Sequence, residues 1–163
     1  MAILLVPLSC GGTHAAAPTG AQATVDHVTD GDTIVLADGR RVRLVQVDAP
    51  ELPEHECYGE AATGVLGRLL PPGTRVRLEL DPGLDHEDRF GRTLAYVEKG
   101  GVNVNVDLVR LGAAAPYFYR GDRGRYATAL LDAATRAREG RKGLWGACPG
   151  TVLDPSRQVD ARP

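Results

Sequence analysis

Alternation of apolar and polar residues with a period of two predicts β-strands in the first two thirds of the chain. The predicted strands are residues 25–28, 34–36, 42–47, 75–80 and 92–97. Asp-Gly pairs at 30–31 and 38–39 separate the first three strands, and such pairs favour tight turns. The first three strands are therefore expected to be neighbours in one sheet.

The alternation also assigns faces to the strands. In the third strand, Arg43 shares one side with Val45 and Val47, which predicts an arginine inside a half-buried strand. The apolar residues of the fourth strand that are expected to face the core are Val76, Leu78 and Leu80. A half-buried arginine needs an anion or several acceptors near it.

Apolar residues with helical spacing follow and predict three helices, over residues 58–70, 103–111 and 126–139. A Pro-Pro-Gly run at 71–73 ends the first helix. Asn103 is expected to cap the second, which Gly112 ends. Five short strands and three helices predict an α+β fold, a five-stranded OB-type β-barrel with three helices. Such barrels commonly bind nucleic acid.

The domain boundaries follow from composition. Residues 24–148 are the predicted folded domain. Residues 1–23 are expected to be an export or lipoprotein-like signal and a flexible tether, because an apolar start precedes a Gly, Ala, Thr and Pro-rich stretch. Residues 149–163 are polar and contain proline, and are expected to be an unstructured C-terminal tail. A chain of 163 residues is long enough for one domain with a core.

Net charge excludes one mode of binding. The formal charge is −2 and the pI is about 6.1, so bulk positive charge does not hold a phosphate-bearing partner. A local cluster would have to do so. Lys99 and Lys142 are the only lysines, and the other cations are arginines, whose planar fork suits phosphate.

Two carboxylates stand at strand ends. Asp32 follows a glycine turn, and Asp48 ends the third strand before Pro50. Two converging carboxylates with backbone carbonyls form an oxygen site suited to a hard cation such as calcium. No cluster of His and Cys with zinc spacing is present in the sequence. The alternative is that both aspartates only cap turns.

Three further residues extend this site. Arg43 is expected either to grip a phosphate or to form a structural ion pair with the two carboxylates. Arg92, at the start of the fifth strand, is a second candidate for stabilising phosphate charge. Glu51, three residues after Asp48, is a candidate to accept a proton from water.

An ordered set of motifs resembles the thermonuclease (staphylococcal nuclease-like) family. The set comprises Asp-Gly-Asp-Thr at 30–33, Arg-Leu-x-x-Val-Asp-x-Pro-Glu at 43–51, Tyr-Gly-Glu-Ala at 58–61 and Asp-x-Phe-Gly-Arg-x-Leu-Ala-Tyr at 88–96. The resemblance runs from about residue 24 to Trp145. Each motif is weak alone, but their order along the chain is specific.

The resemblance implies a calcium-dependent nuclease that hydrolyses DNA and RNA phosphodiesters and leaves 3′-phosphate ends. It assigns Asp32, Asp48 and the backbone carbonyl of Ala49 to Ca²⁺. It makes Arg43 and Arg92 the phosphate clamp, and Glu51 the carboxylate that activates water. Members of the family often have Thr where this chain has Ala49, so a side-chain hydroxyl contact is lost here while the carbonyl is kept.

The resemblance also implies substrate-binding residues. Tyr117 and Tyr119 match tyrosines that line the nucleotide pocket, and Arg89 stands where the family often has Lys near a terminal phosphate. For the two tyrosines, the alternative is a packed loop that anchors the third helix. For Arg89, it is a solvated surface charge. The polar run at 85–88 is read mainly as a solvated loop, with a second metal site as the alternative.

The cysteines and the N-terminus predict export. Pro-Leu-Ser-Cys at 7–10 resembles a bacterial lipoprotein cleavage box in which Cys10 is lipidated, although no basic residue precedes it; the alternative is a frayed hydrophobic terminus. In an exported protein, Cys57 and Cys148 are expected to form a disulfide, the alternative being two free buried thiols. The protein is expected to be a monomer, secreted or anchored by lipid at the cell surface.

The sequence leaves two rival functions open. The first is a non-catalytic OB-fold module that binds nucleic acid. The second is hydrolysis of another phosphodiester or a small nucleotide at the cell surface. The presence of all five candidate metal and catalytic side chains favours a nuclease over the binding module.

Overall fold

The structure is a computed structural model, and it describes residues 20–52 and 56–162. Its strands are β1 (Ala21–Val28), β2 (Thr33–Leu36), β3 (Arg41–Leu44), β4 (Val47–Asp48), β5 (Arg75–Glu79), β6 (Thr93–Lys99), β7 (Val102–Asn103) and β8 (Ala115–Pro116). Its helices are α1 (Gly59–Leu69), α2 (Val104–Arg110), α3 (Ala127–Glu139) and the one-turn α4 (Leu144–Ala147). The predicted signal, including Cys10, lies outside the described residues.

Five strands close into a barrel. Antiparallel pairing runs in the order β3, β2, β1, β5 and β6, and a parallel pairing of β3 with β6 completes the ring. β7 extends the sheet beyond β6, and β4 pairs separately with β8. The three longer helices, α1 to α3, accompany this barrel. The predicted α+β fold, a five-stranded OB-type barrel with three helices, is confirmed.

Alternating strand residues fill the barrel interior. The fully buried ones include Val25, Ile34, Leu36, Val42, Leu44 and Val97. Burying an aliphatic side chain of this size contributes roughly 1.5–3 kcal/mol, so this periodicity is the main stabilising feature of the sheet. Asn103 caps α2 as predicted, because its side chain accepts a hydrogen bond from the Val106 amide over 3.0 Å.

Two strand predictions are wrong in detail. The third strand was expected to continue through residue 47, but it ends at Leu44. A turn follows at residues 45–46, where Gln46 has a φ of 63°, and leads into β4, which pairs with β8. In the fourth strand the alternation fails at its end. Leu80 is 43% exposed, whereas Glu79 is buried because Arg125 pairs with it and the Tyr126 hydroxyl donates to it over 3.0 Å.

The two ends of the domain also differ from the prediction. β1 begins at Ala21, because residues 21–24 pair with β5. Residues 149–162 are not a free tail. The Phe118 amide donates to the Pro155 carbonyl over 2.7 Å, the Cys57 amide donates to the Ala161 carbonyl over 3.1 Å, and Val159 is buried. Composition alone suggested disorder, but backbone contacts with distant residues hold this segment.

Across residues 20–52 and 56–162, no helix is long and apolar enough to cross a bilayer.

Candidate nuclease site

A close backbone approach brings the turn after β1 against the end of β4. A Cβ on Gly31 would lie 2.5 Å from the Cβ of Ala49, so only glycine allows this packing. The next residue, Asp32, accepts a hydrogen bond from the Ala49 amide at its Oδ2 over 3.3 Å. The turn therefore fixes Asp32 beside the segment that contains Asp48 and Ala49.

Arg43 joins the two aspartates. Its Nη2 lies 2.6 Å from Asp48 Oδ1 and 3.0 Å from Asp32 Oδ2, and its Nη1 donates to the Val47 carbonyl over 3.0 Å. All three side chains are nearly or largely buried. The sequence left two roles for Arg43, and the structure contains the ion pair; a role toward phosphate stays a prediction.

Ionisation of Asp32 is costly in this environment. Burial raises the pKa of Asp32 from 3.8 to about 7, against the attraction of Arg43, and the charges of Asp30 and Asp48 add to the increase. One guanidinium therefore does not fully compensate two buried carboxylates. A further cation beside them would favour their ionised forms.

The donor set fits a hard cation. The predicted ligands are carboxylate oxygens of Asp32 and Asp48 and the carbonyl oxygen of Ala49, and calcium prefers oxygen ligands. Arg43 Nη2 lies 3.0 Å from Asp32 Oδ2 and 2.6 Å from Asp48 Oδ1, so these two carboxylate oxygens lie near each other. Within the described ranges, no group of three or more His, Cys, Asp or Glu side chains is placed to hold a metal, so a cation bound here would need backbone oxygen and water as further ligands.

Glu51 lies at the edge of this cluster. It is half-buried, and its amide donates to Glu56 Oε2 over 2.9 Å. Burial raises the pKa of the Glu51 carboxyl, and the charges of Asp30 and Asp48 raise it further, against Arg43. Glu51 therefore interacts electrostatically with the paired aspartates, and a raised pKa makes its carboxylate a stronger base.

A groove of about 400 Å³ opens beside Arg43. Its lining is rich in arginine and aromatic residues: Arg43, Arg89, Arg92, Arg120, Phe90, Tyr117 and Tyr119. The structure thus brings the predicted phosphate and substrate residues into one wall. Asp32, Asp48 and Glu51 do not line it, and the two aspartates connect to it through Arg43.

The loop before β6 positions Arg92. Asp88 accepts hydrogen bonds from Arg92 Nε over 2.6 Å and from the Arg92 amide over 3.0 Å, and Gly91 between them has a φ of 71°. The ring of Phe90, 61% exposed, lies 4.7 Å from the Arg89 guanidinium carbon and 5.5 Å from that of Arg92. Asp88 therefore organises this loop, while Asp85, His86 and Glu87 are exposed, as the prediction of a solvated loop requires.

Tyr117 and Tyr119 lie together, with ring centroids 6.4 Å apart. Burial raises the pKa of the Tyr117 hydroxyl, and the nearby charge of Asp48 adds to this increase. Tyr119 is 55% exposed. These two tyrosines, here called the tyrosine wall, therefore differ in exposure: Tyr117 is partly buried and Tyr119 is exposed.

Gln46 anchors the segment that follows these tyrosines, a role that sequence analysis missed. Its Nε2 donates to the Asp122 carbonyl over 2.7 Å, and its Oε1 accepts from the Gly124 amide over 2.9 Å and from the Tyr96 hydroxyl over 3.1 Å. Its own carbonyl accepts from the Tyr117 amide over 3.1 Å. A polar residue on the core side of a predicted strand was the one available signal.

Two groups near the C-terminus also reach the site. The Val159 amide donates to Asp48 Oδ2 over 2.8 Å, and Gln158 Nε2 lies 3.3 Å from Asp48 Oδ1. Sequence reasoning missed both. A backbone amide has no signature in the side-chain pattern, and Gln158 lies in a segment that was expected to be an unstructured tail.

Cys57 and Cys148 are joined by a disulfide bond, with their Cα atoms 5.8 Å apart. The bond connects the segment before α1 to the end of α4. It lies beside the point where residues 149–162 leave and rejoin the domain, because Cys57 also contacts Ala161.

Comparison with known proteins agrees with this architecture. Residues 41–147 match the family model of the staphylococcal nuclease homologue. The chain is 37% identical over 133 residues to a thermonuclease of Staphylococcus intermedius, which covers 77% of each chain. It is 36% identical over 128 residues to a thermonuclease of Staphylococcus hyicus, with 74% of this chain and 73% of that one covered. An uncharacterized endonuclease of Escherichia coli O157:H7 is 34% identical over 145 residues, with 85% and 81% covered. The resemblance predicted from the motifs is confirmed, and the chain belongs to the staphylococcal nuclease homologue family.

Proposed function

We propose that this protein is a calcium-dependent nuclease that hydrolyses phosphodiester bonds of DNA and RNA and leaves 3′-phosphate ends. The observation that carries the proposal is the contact of Arg43 with two buried carboxylates at the wall of an arginine- and tyrosine-lined groove. Relatives named thermonuclease and endonuclease support the reaction class.

Asp32, Asp48 and the Ala49 carbonyl would hold the calcium ion. When bound, calcium would polarise a phosphoryl oxygen and orient water. The chain supplies the rest of the electrostatics. Arg43 and Arg92 line the groove, where their planar forks would stabilise the negative charge that develops on phosphorus-bound oxygens.

Glu51 would accept the proton of the attacking water. A general base works best when its pKa approaches the operating pH, and burial with neighbouring carboxylates raises the pKa of Glu51 in that direction. Tyr117 and Tyr119 would contact a base or sugar, and Arg89 would meet a neighbouring phosphate. Stacking on an aromatic ring contributes roughly 1–3 kcal/mol per base.

Digestion of plasmid DNA and of RNA tests the proposal, with calcium and then with chelator. We expect cleavage only with calcium, and products with a 5′-hydroxyl and a 3′-phosphate. Glu51→Gln should lower turnover by orders of magnitude, whereas Glu60→Gln, an exposed position on α1, should leave it unchanged. Folded protein that cleaves neither substrate in calcium would refute the proposal.

The same contact also allows a second candidate, a non-catalytic nucleic-acid-binding module. Arg43 is already paired with both aspartates, as a purely structural ion pair would be. This candidate predicts binding of a labelled oligonucleotide in chelator, measured by fluorescence polarisation, with no turnover in calcium. Small phosphodiesters and nucleotides in the same assay test the remaining alternative substrate class.

We also propose that the protein is exported, acts as a monomer, and is secreted or anchored through a lipid on Cys10. The disulfide between Cys57 and Cys148 supports an oxidising compartment. Mass spectrometry of the mature N-terminus from the native host tests the lipid, and light scattering tests the monomer. A mature N-terminus other than Cys10, without added lipid mass, would rule out the lipid anchor and support secretion.

A further inference from the structure

Residues 149–162, here called the C-terminal strap, pass directly over a predicted metal ligand. The Val159 amide donates to Asp48 Oδ2 over 2.8 Å, and Gln158 Nε2 lies 3.3 Å from Asp48 Oδ1. Both oxygens of this buried carboxylate thus receive donors from a segment 110 residues further along the chain.

The strap is fixed on both sides of this contact. The Phe118 amide binds the Pro155 carbonyl over 2.7 Å, and the Cys57 amide binds the Ala161 carbonyl over 3.1 Å. Val159 and Ala161 are buried in a small apolar cluster with Leu144 and Cys148. The position of the Val159 amide is therefore set by the fold.

The chemistry of these contacts favours support of the metal site over blockage. A carboxylate has about four lone-pair positions, and the donors to Asp48 are Arg43 and Gln158 at Oδ1 and the Val159 amide at Oδ2, so Oδ2 can still bind a cation. A segment that occupied the site in place of a metal would present a positive charge to Asp48. The strap's arginines instead pair locally, Arg157 with Asp154 and Arg162 with Asp160.

We propose that the Val159 amide, with Gln158, is a positioning group that orients Asp48 toward calcium, so that the strap is an integral part of the metal site. The proposal rests on the calcium dependence proposed above. Donors behind a metal ligand fix its orientation, and their loss typically costs about 10–100-fold in metal affinity or activity.

Calcium titration by calorimetry tests the proposal on the full-length folded protein. Val159→Pro removes the amide hydrogen, and Val159→Ala keeps it while shortening the same buried side chain. We expect calcium affinity to fall about 10-fold or more in V159P and to change less than about 2-fold in V159A. A structural role alone would lower the unfolding temperature in chelator in both variants without separating their calcium affinities.

A second variant covers the case in which V159P does not fold. Ala161→Asp places a charge at the buried end of the strap, two residues after Val159. It should release the strap and weaken calcium binding in the same way. Unchanged affinity in the folded variants would overturn the inference. Tighter calcium binding or faster cleavage would overturn it too, and would show that the strap inhibits. Wild-type protein that binds no calcium would contradict the proposed function itself, and this inference with it.

Discussion

Arg43 Nη2 donates a hydrogen bond to Asp48 Oδ1 over 2.6 Å, and the same nitrogen contacts Asp32. The guanidinium therefore offsets part of the negative charge of the two predicted metal ligands. A bound cation would take over part of this role and would leave the fork of Arg43, which lines the groove, for a phosphate. The ion pair and the proposed phosphate clamp would then be two states of one residue.

The first prediction concerns this fork. Arg43→Lys keeps the positive charge between the carboxylates but loses the planar pair of donors. We expect turnover in calcium to fall about 100-fold or more, as is typical when a donor to developing negative charge is removed. Initial rates of DNA cleavage at saturating calcium measure the effect.

Arg41→Lys is the matched control, because Arg41 is exposed on the same strand. It should cleave at the wild-type rate. If R43K also does so while remaining folded, the bidentate contact with phosphate is unnecessary and Arg43 is only an ion-pair partner.

Periodicity was sufficient to predict the barrel because local side-chain order decides which face of a strand is buried. It failed where contacts with residues distant in sequence decide which side chain is buried. Glu79 is buried because Arg125 and Tyr126 accompany it, and Leu80 is exposed in consequence of the strand ending there.

The site shows the same division. Asp32, Asp48 and Arg43 were recognisable as charged residues in apolar or turn contexts, and the family motifs set their order. The contribution of Val159 was not recognisable, because its donor is a backbone amide that any residue except proline supplies. Gln46 adopts a positive φ that glycine usually adopts, so its side-chain contacts were equally hidden.

The second prediction is a pH dependence of stability in chelator. The pKa of Asp32 is about 7 in the folded chain and 3.8 in the reference state, because burial opposes its charge. Between these values the folded protein holds a proton that the unfolded chain has released. Stability from this group therefore decreases as pH rises from about 4 to about 7, by at most about 1.4 kcal/mol per pH unit.

Urea unfolding of wild type and Asp32→Asn, from pH 4.5 to 8 in chelator, measures this term. The difference in unfolding free energy should grow in favour of D32N as pH rises, since other titrating groups largely cancel in the comparison. Parallel curves would show that Asp32 ionises normally in the folded protein.

The third prediction concerns Gln46 and the tyrosine wall. Gln46→Gly removes three side-chain hydrogen bonds, each with a typical net contribution of about 1 kcal/mol, and relieves the positive φ, which offsets roughly 1 kcal/mol. We expect a net loss of about 1–3 kcal/mol in stability. Loosening Asp122 and Gly124, which follow the two tyrosines in the chain, should raise KM severalfold with a smaller change in kcat.

Tyr96→Phe provides a graded comparison, because it removes the one hydrogen bond from Tyr96 to Gln46 over 3.1 Å and keeps the others. Its KM should lie between those of wild type and Q46G. A Q46G protein that is less stable but has wild-type KM would confine Gln46 to a structural role.

The last prediction concerns the disulfide. The bond joins residues separated by 91 positions, and it restricts the unfolded chain more strongly than a short loop would. Replacing both Cys57 and Cys148 by alanine should lower the unfolding free energy by about 2–5 kcal/mol. Reductant should lower the stability of wild type by a similar amount and leave the double variant unchanged. Cys10→Ala serves as the control and should behave as wild type in both conditions.

Because Cys148 precedes the C-terminal strap and Cys57 binds its end, reduced protein should also bind calcium more weakly. Full calcium affinity after reduction, in protein that has lost stability, would show that the strap holds Asp48 without help from the disulfide.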